Sequence, residues 1–208
     1  GMRVQVTRLK REILPDLGYR NILFRNGYEA DDMIAYLVDH HIVPTRLAGM
    51  SGPRLRGIIV SSDKDMYQLL RPGVTIWDPF KGKARNQSWL ESEYGVTPRQ
   101  WAMVKAMAGC SSDGIPGIVG VGEKTACAIL TGRAGNKAKL ARTPEARAII
   151  ARNMNLIELP YHRLLEGGPG KIRSLQEDEV HLNKWNDLVA GTLGMESLRV
   201  RMPAKGKR

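Results

Sequence analysis

The stretch from Lys105 to Leu130, KAMAGCSSDGIPGIVGVGEKTACAIL, sets the tightest limit on how this chain can fold. It approaches as a helix, turns through glycine and serine, and opens a second helix at Glu123. The first turn of a helix presents backbone N–H groups that have no intrahelical partner, so two helices joined by a glycine-rich hairpin make an anion site. Gly120 and Gly122 let the backbone approach another group closely, and Lys124 adds a positive charge beside them. A net charge of +11 over 208 residues makes nucleic-acid phosphate the natural anion, although a solvated basic surface would also account for the charge.

Upstream of this hairpin the pattern is of short apolar runs between helices. Residues 22–24, 57–61 and 74–77 read as buried strands, and 3–17, 29–41 and 63–70 as helices. Strands alternating with helices predict an α/β layer with parallel strands. After residue 86 only helices are expected: 90–94, 97–108, 123–130, 143–154 and 184–193. Thr97-Pro98 and Thr143-Pro144 mark two of their starts, with a capping hydroxyl followed by proline at the first helical position. Residues 42–56 read as a loop, 155–183 are weakly patterned, and Lys205, Lys207 and Arg208 form a basic end. The expected organisation is an α/β part over 1–86 and a helical part over 87–208. Trp77 and Trp101 are expected in the core, and Trp89 is left open. No run of about 18 apolar residues is present, so no membrane span is expected. Two cysteines, Cys110 and Cys127, make neither a disulfide framework nor a zinc site, which points to a reduced, cytoplasmic setting.

Two acidic clusters stand out in the α/β part. Glu29, Asp31 and Asp32 open a helix, and Asp63 and Asp65 follow the 57–61 strand. In parallel sheets ligands bind beyond the carboxyl ends of the strands, so both clusters are expected at one edge. Such oxygen-rich groups suit Mg²⁺ or Mn²⁺, and two ions about 4 Å apart can act on a phosphodiester. Capping and the helix macrodipole explain either cluster alone. Together, five carboxylates repel one another unless a cation neutralises them.

GYEADDMIA (27–35), SSDKDMYQLL (61–70) and GCSSDGIPGIVGVGEKTA (109–126) resemble, in order and spacing, the motifs of the 5′→3′ exonuclease and flap endonuclease family. That family includes phage enzymes and the amino-terminal nuclease domain of bacterial DNA polymerase I. The resemblance implies a partial PIN-like (resolvase-like) sheet followed by a helical DNA-binding part with a helix–hairpin–helix. It implies a magnesium-dependent phosphodiesterase of DNA replication and repair, with two Mg²⁺ (or Mn²⁺) ions in an intact site. Glu29, Asp31 and Asp32 would serve the first ion, and Asp63, Asp65 and Asp113 the second. The DNA-binding positions would be Lys105, Gly117, Gly120, Val121, Gly122, Lys124 and Thr125, with K⁺ on the main chain of the hairpin. The implied partner is a DNA duplex with a 5′ end or flap, or an RNA–DNA hybrid.

The chain departs from that pattern twice. No apolar strand ending in aspartate precedes residue 20, so the usual N-terminal strand and arch are expected to be missing. That would leave a sheet edge open to self-association or to a complementing N-terminal polypeptide. Cys110 stands where the family carries a carboxylate, and a thiol is a poor ligand for magnesium. Three readings follow: an active nuclease, a catalytically inactive structure-specific DNA-binding protein, or a fragment that needs a second polypeptide.

Overall fold

A computed structural model describes residues 1–42, 56–159 and 175–200. Most of the loop expected at 42–56, part of the weakly patterned 155–183 stretch and the basic end lie outside the described residues. The chain forms two compact units, one from residues 1–24 with 171–208 and one from 25–170.

The smaller unit begins with α1 (Met2–Arg8), widens into a π-type turn at Leu9–Ile13, and closes with α2 (Leu14–Asp16). The helix expected over 3–17 is therefore present, but only Leu17 of its apolar positions is buried, while Val4 and Leu9 are exposed. A π-type turn breaks the 3.6-residue period on which the expected face rested. The strand expected at 22–24 does not form. Asn21 instead exchanges hydrogen bonds with the main chain of Gln176 at 2.6 and 2.9 Å, and Asp178 accepts the Arg20 N–H at 2.7 Å. Three apolar residues offer too short a ladder to compete with these local bonds. Near the other end of the chain, the helix expected over 184–193 is a short helix, Leu182–Asn186, that continues as a π-type turn over Asp187–Thr192.

The larger unit opens with α3 (Ala30–His41), which starts in a capping box: Asp32 accepts the Glu29 N–H at 3.2 Å while the Glu29 side chain caps in return. β1 (Gly57–Val60) and β2 (Val74–Asp78) pair in parallel, with Ile59 opposite Ile76. An unexpected β3 (Lys83–Arg85) adds antiparallel to β2; its Lys-Ala-Arg sequence carries no apolar run to announce it. One face buries Ile59, Val74, Ile76 and Asp78. Alternation then turns Ile58, Val60 and Trp77 outward, so Trp77 is 40% exposed rather than in the core. The helix expected at 63–70 is a 3₁₀ turn over Asp65–Leu69, because the Asp63 carboxylate accepts the Asp65 N–H at 2.8 Å and tightens the entry.

The helices then follow largely as expected. α4 (Gln87–Tyr94) begins three residues earlier than its apolar pattern, because Asn86 accepts the Trp89 N–H at 2.8 Å. α5 (Pro98–Ala108) runs into a two-residue ladder, β4 (Gly109–Cys110) against β5 (Ile115–Pro116). α6 (Glu123–Leu130) and α7 (Pro144–Ile157) pack on α5, which also rests on the 3₁₀ turn. Trp101, Val104 and Met107 of α5 carry this core, together with Leu69, Ile76, Leu90, Val121 and Ala126. Residue 86 lies inside the larger unit, between β3 and α4, with the short β4–β5 ladder following it. The result is a mixed α/β fold with a small, partly parallel sheet followed by helices, as the sequence predicts.

Candidate functional site

Three pieces of local structure converge on a cleft of about 570 Å³ in the larger unit. The start of α3 brings Glu29, Asp31 and Asp32; the turn after β1 brings Asp65; the turn between β4 and β5 brings Asp113. Ile115, Leu156, Ile157 and Leu159 give the cleft apolar lining, and Glu158 adds an acid that no motif announced. Asp63 is exposed and does not line the cleft, but its charge reaches both Asp31 and Asp65. Asp32 is buried, and one of its oxygens serves the capping box, so capping and site membership coincide at this residue.

The electrostatics are those of an under-neutralised acidic cluster. Asp31 is pushed above the usual carboxylate range by burial first, then by the charges of Asp63 and Glu29. Asp65 is also pushed up, by burial first and by Asp63 and Asp113, although Lys105 pulls in the opposite direction. Lys105 is 7% exposed and sits between two acids, with Nζ 3.3 Å from Asp65 Oδ1 and 3.6 Å from Glu123 Oε1. Burial, the largest influence on Lys105, favours its neutral form, but Asp65 and Glu123 outweigh it and raise its pKa. The pair is thus favourable seen from the lysine and unfavourable seen from Asp65. The asymmetry arises because burial first, and then the charges of Asp63 and Asp113, outweigh the pull of Lys105 at Asp65.

Lys105 therefore departs from its expected role. It is buried and committed to carboxylates, and does not offer a free charge to a phosphate. Asp65 Oδ1 is itself a buried oxygen that receives no well-aligned hydrogen bond, despite the ammonium 3.3 Å away. Surplus negative charge fits a divalent cation bound among oxygens, and Glu29 and Asp31 supply hard donors for it. The Asp113 side is different. Asp65, Cys110 and Asp113 have ligand atoms within 4.8 Å of one another, and Cys110 Sγ donates to Asp113 Oδ2 at 2.8 Å. A sulfur donor at this position does not fit magnesium.

The hairpin beyond Asp113 is built on close backbone approach. A Cβ on Gly117 would lie 2.2 Å from the Ala108 carbonyl oxygen, so the two strands of the turn touch at main-chain level. Ile118 donates its N–H to Met107 O at 2.8 Å and buries its side chain, as does Val121. Val119 is 90% exposed between them, and Gly120 takes φ 78°. Gly122 is the N-cap of α6 and provides no side-chain cap, while Lys124 is exposed at the first turn. Val121 is buried, and its N–H donates to the Ile118 carbonyl at 3.0 Å.

Several positioning residues escaped the sequence reading. Asn153 of α7 is fully buried and donates to Ala106 O at 2.8 Å and Pro116 O at 3.0 Å, tying the end of α5 to the hairpin. Arg152 donates to the Pro116 carbonyl at 2.9 Å as well. Gln68 bridges the 3₁₀ turn to the Ile157 and Leu159 main chain at 3.0 and 3.1 Å. Glu123 joins Lys64 at 2.5 Å as well as Lys105. An isolated amide or charge within a helical pattern carries no signal of the contacts it will make, so none of these could be found from spacing.

No family model matches the chain. Residues of this protein align at 40% identity over 104 positions with a thermostable DNA polymerase I from Thermus aquaticus, covering 50% of this chain and 11% of that one. A DNA polymerase I from Deinococcus radiodurans is 43% identical over 129 residues, covering 61% of this chain and 12% of the relative. Among solved structures, a bacteriophage T5 D15 flap endonuclease in a pseudo-enzyme-product complex with DNA and metal ions superposes with a TM-score of 0.51 at 21% identity. It covers 65% of this chain and 51% of its own. The chain is thus similar to DNA polymerase I over half or more of its own length and shares the fold of a bacteriophage T5 flap endonuclease. A T5 5′-exonuclease with zinc bound shares the fold over 84% of this chain and 62% of its own, with a TM-score of 0.55 and 19% identity. The chain spans about an eighth of the length of the curated relatives it matches. Among the described residues no helix is long and apolar enough to cross a membrane.

Proposed function

We propose that this chain takes part in metal-dependent hydrolysis of DNA phosphodiesters, in the manner of a 5′→3′ exonuclease or flap endonuclease. The observation that carries this reading is the meeting of Glu29, Asp31, Asp65 and Asp113 in one cleft whose acids outnumber the cation beside them. Mg²⁺ or Mn²⁺ is the proposed cofactor on the Glu29 and Asp31 side, with Asp32 and Asp63 adding charge. When bound, such an ion neutralises phosphate charge and makes hydroxide available from water near neutral pH. Asp65 and Asp113 orient the opposite side, and Lys105 holds Asp65 against its neighbours. Ile115, Leu156, Ile157 and Leu159 give the cleft its apolar lining. DNA with a 5′ end or flap is the proposed substrate. Its backbone would rest on the Gly117–Thr125 segment, at Gly117, Gly120, Val121, Gly122, Lys124 and Thr125, with K⁺ on nearby carbonyls. In this reading residues up to 86 form the nuclease part and the helices beyond it the DNA-binding part.

Cleavage of a 5′-flap duplex with Mg²⁺ or Mn²⁺, compared with Asp63→Ala and Asp65→Asn, tests the proposal. Metal-dependent cleavage that either substitution abolishes is the expected result. Cys110 in the cluster favours a second reading, a protein that binds such DNA without cutting it. Flap binding with no cleavage under any divalent ion would establish that reading in place of the first.

A further inference from the structure

The outer face of the sheet is open at the end of the strands that leads into the cleft. Ile58 and Val60 of β1 and Trp77 of β2 point outward and are exposed, and Val60 lies opposite Trp77. On the other side of Trp77, β3 presents only Ala84, which is too small to cover the ring. The Ser61 N–H donates to the Trp77 carbonyl at 3.0 Å, and Ser61 begins the turn that carries Asp65 into the cleft. β1 and β2 run parallel, so the turn between β2 and β3 stands at that same end. It carries Phe80, 87% exposed, then Lys81 and, at the start of β3, Lys83, both exposed. This turn is pinned, because Asp78 Oδ1 accepts the N–H groups of Phe80 and Lys81 at 3.1 Å each. Arg85 donates to Asp78 Oδ2 at 3.0 Å, whereas Lys81 Nζ stands 4.0 Å away and keeps its charge at the surface.

We propose that this face is a stacking platform for single-stranded nucleic acid, with Trp77 and Phe80 taking bases and Lys81 and Lys83 taking phosphates. Trp77 and Phe80 are close in sequence, so their Cα atoms lie no more than about 11 Å apart, a span that a few unstacked nucleotides cover. Every base offers a π face, so such a platform holds a strand without reading its sequence. Ile58 and Val60 extend the apolar floor beside Trp77. An exposed apolar patch of this kind marks a contact surface, and its charge selects the occupant. The lysines beside the rings favour a polyanion with flat apolar faces. A second copy of this chain would instead bring its own net charge of +11 against them. The inference rests on the nuclease reading above for the source of the strand. A 5′ single strand leaving the acidic cleft would run from the Ser61–Asp65 turn onto Val60 and Trp77, and then to Phe80.

Fluorescence anisotropy with the full chain tests it, using a labelled duplex that carries a 5′ single-stranded flap and the same duplex without one. Divalent ions are left out so that neither is cut. The flap is expected to add affinity in the unmodified chain. Trp77→Ala and Phe80→Ala should each weaken flap binding at least about fivefold and leave the flapless duplex unchanged. Trp77→Phe keeps a stacking ring and should retain most of the affinity. Thermal melts by circular dichroism check the fold, and Phe80 is exposed enough that its loss leaves the core intact. Unchanged flap binding in both alanine variants would overturn the platform and leave the cleft reading standing. Equal losses on the two duplexes would also overturn it, since the effect would then be one on overall structure. A flap that binds in a Trp77-dependent way but is never cut with Mg²⁺ or Mn²⁺ would support the platform while removing the nuclease reading. A dimer in sedimentation velocity that Phe80→Ala dissociates, with flap affinity unchanged, would assign the face to a second copy and overturn the proposal.

Discussion

Lys105→Met isolates what the acidic cleft requires of a cation. Methionine keeps most of the buried stem and removes the ammonium. The charges removed lie 3.3 Å from Asp65 Oδ1 and 3.6 Å from Glu123 Oε1. At an effective dielectric of about 20, each contact is worth roughly 5 kcal/mol before desolvation is counted. The side chains of Lys105, Asp65 and Glu123 are 9%, 15% and 23% exposed, so desolvation of all three offsets much of that gain. Glu123 also retains Lys64, which leaves Asp65 as the acid stranded by the substitution. The net destabilisation expected without metal is about 2–3 kcal/mol at neutral pH, below the full cost of breaking a wholly buried pair. In a chain of this size that lowers the melting temperature by roughly 5–10 °C.

Two further readouts separate an ion-pair effect from loss of packing. Asp65 already lies above the usual carboxylate range, so its ionisation works against the fold as pH rises through its folded value. Removing Lys105 enlarges that effect, and the deficit of the variant should shrink as pH falls and Asp65 takes up a proton. Divalent cations should restore the variant more than they stabilise the unmodified chain, because the ion then supplies charge that Lys105 supplied before. Thermal melts with and without Mn²⁺ between neutral and acidic pH measure both. A variant as stable as the parent without metal, or one that metal shifts by the same amount as the parent, would refute the reasoning.

Asn153→Ala should cost about 2–4 kcal/mol in urea unfolding, since it leaves the Ala106 carbonyl unpaired and opens a cavity. Asn153→Asp should be worse at neutral pH and recover in acid, because a carboxylate would face two carbonyls that now accept hydrogen bonds. Lys124→Ala should weaken duplex binding evenly across sequences and lower the salt slope by about 1, measured by fluorescence anisotropy at several salt concentrations. Asp78 is buried, which alone would raise its pKa, but the Lys81 N–H and the Arg85 guanidinium outweigh burial and lower it. It therefore contributes stability above the ordinary carboxylate range that is lost as pH falls through its folded value. Asp78→Asn should flatten the acid limb of the melting curve.

The fold was legible where local chemistry and periodicity agree. Thr97-Pro98 and Thr143-Pro144 start α5 and α7 where a capping hydroxyl and a preset proline require it, and the 57–61 run becomes β1 because it is buried on its inner face. It was illegible where a distant side chain decides. Residues 22–24 look like a strand alone, but Asn21 and Asp178 settle the neighbouring backbone instead. Trp77 was misplaced because composition says aromatic while register says outward. In the site, four of the five carboxylates singled out by the two acidic clusters, Glu29, Asp31, Asp32 and Asp65, line one cleft, and Asp63 does not. The burial of Lys105 was not legible, because a lysine on an amphipathic helix usually faces solvent, and only the return of α6 through Glu123 places acids on both sides of it.

That return also explains why the hairpin and the cleft should not be treated as separate modules. α5 carries Lys105, which holds Asp65, and ends in Gly109 and Cys110, which begin the Asp113 turn. The chain then passes under Ala108 at Gly117, where no side chain fits, and starts α6 with Glu123 back against Lys105 and Lys64. A ligand that pulls on the start of α6 therefore acts on the residue that shares Lys105 with Asp65. If Glu123 were displaced toward solvent, Lys105 would fall more fully to Asp65, which would then be better neutralised and would compete less strongly for a cation. If Glu123 is held in place, Lys105 stays divided and Asp65 keeps surplus charge. Glu123→Gln should consequently weaken divalent-ion binding at the cleft while sparing the helices, a change that isothermal titration with Mn²⁺ can read. An affinity equal to that of the unmodified chain would mean that the shared lysine does not couple the two regions.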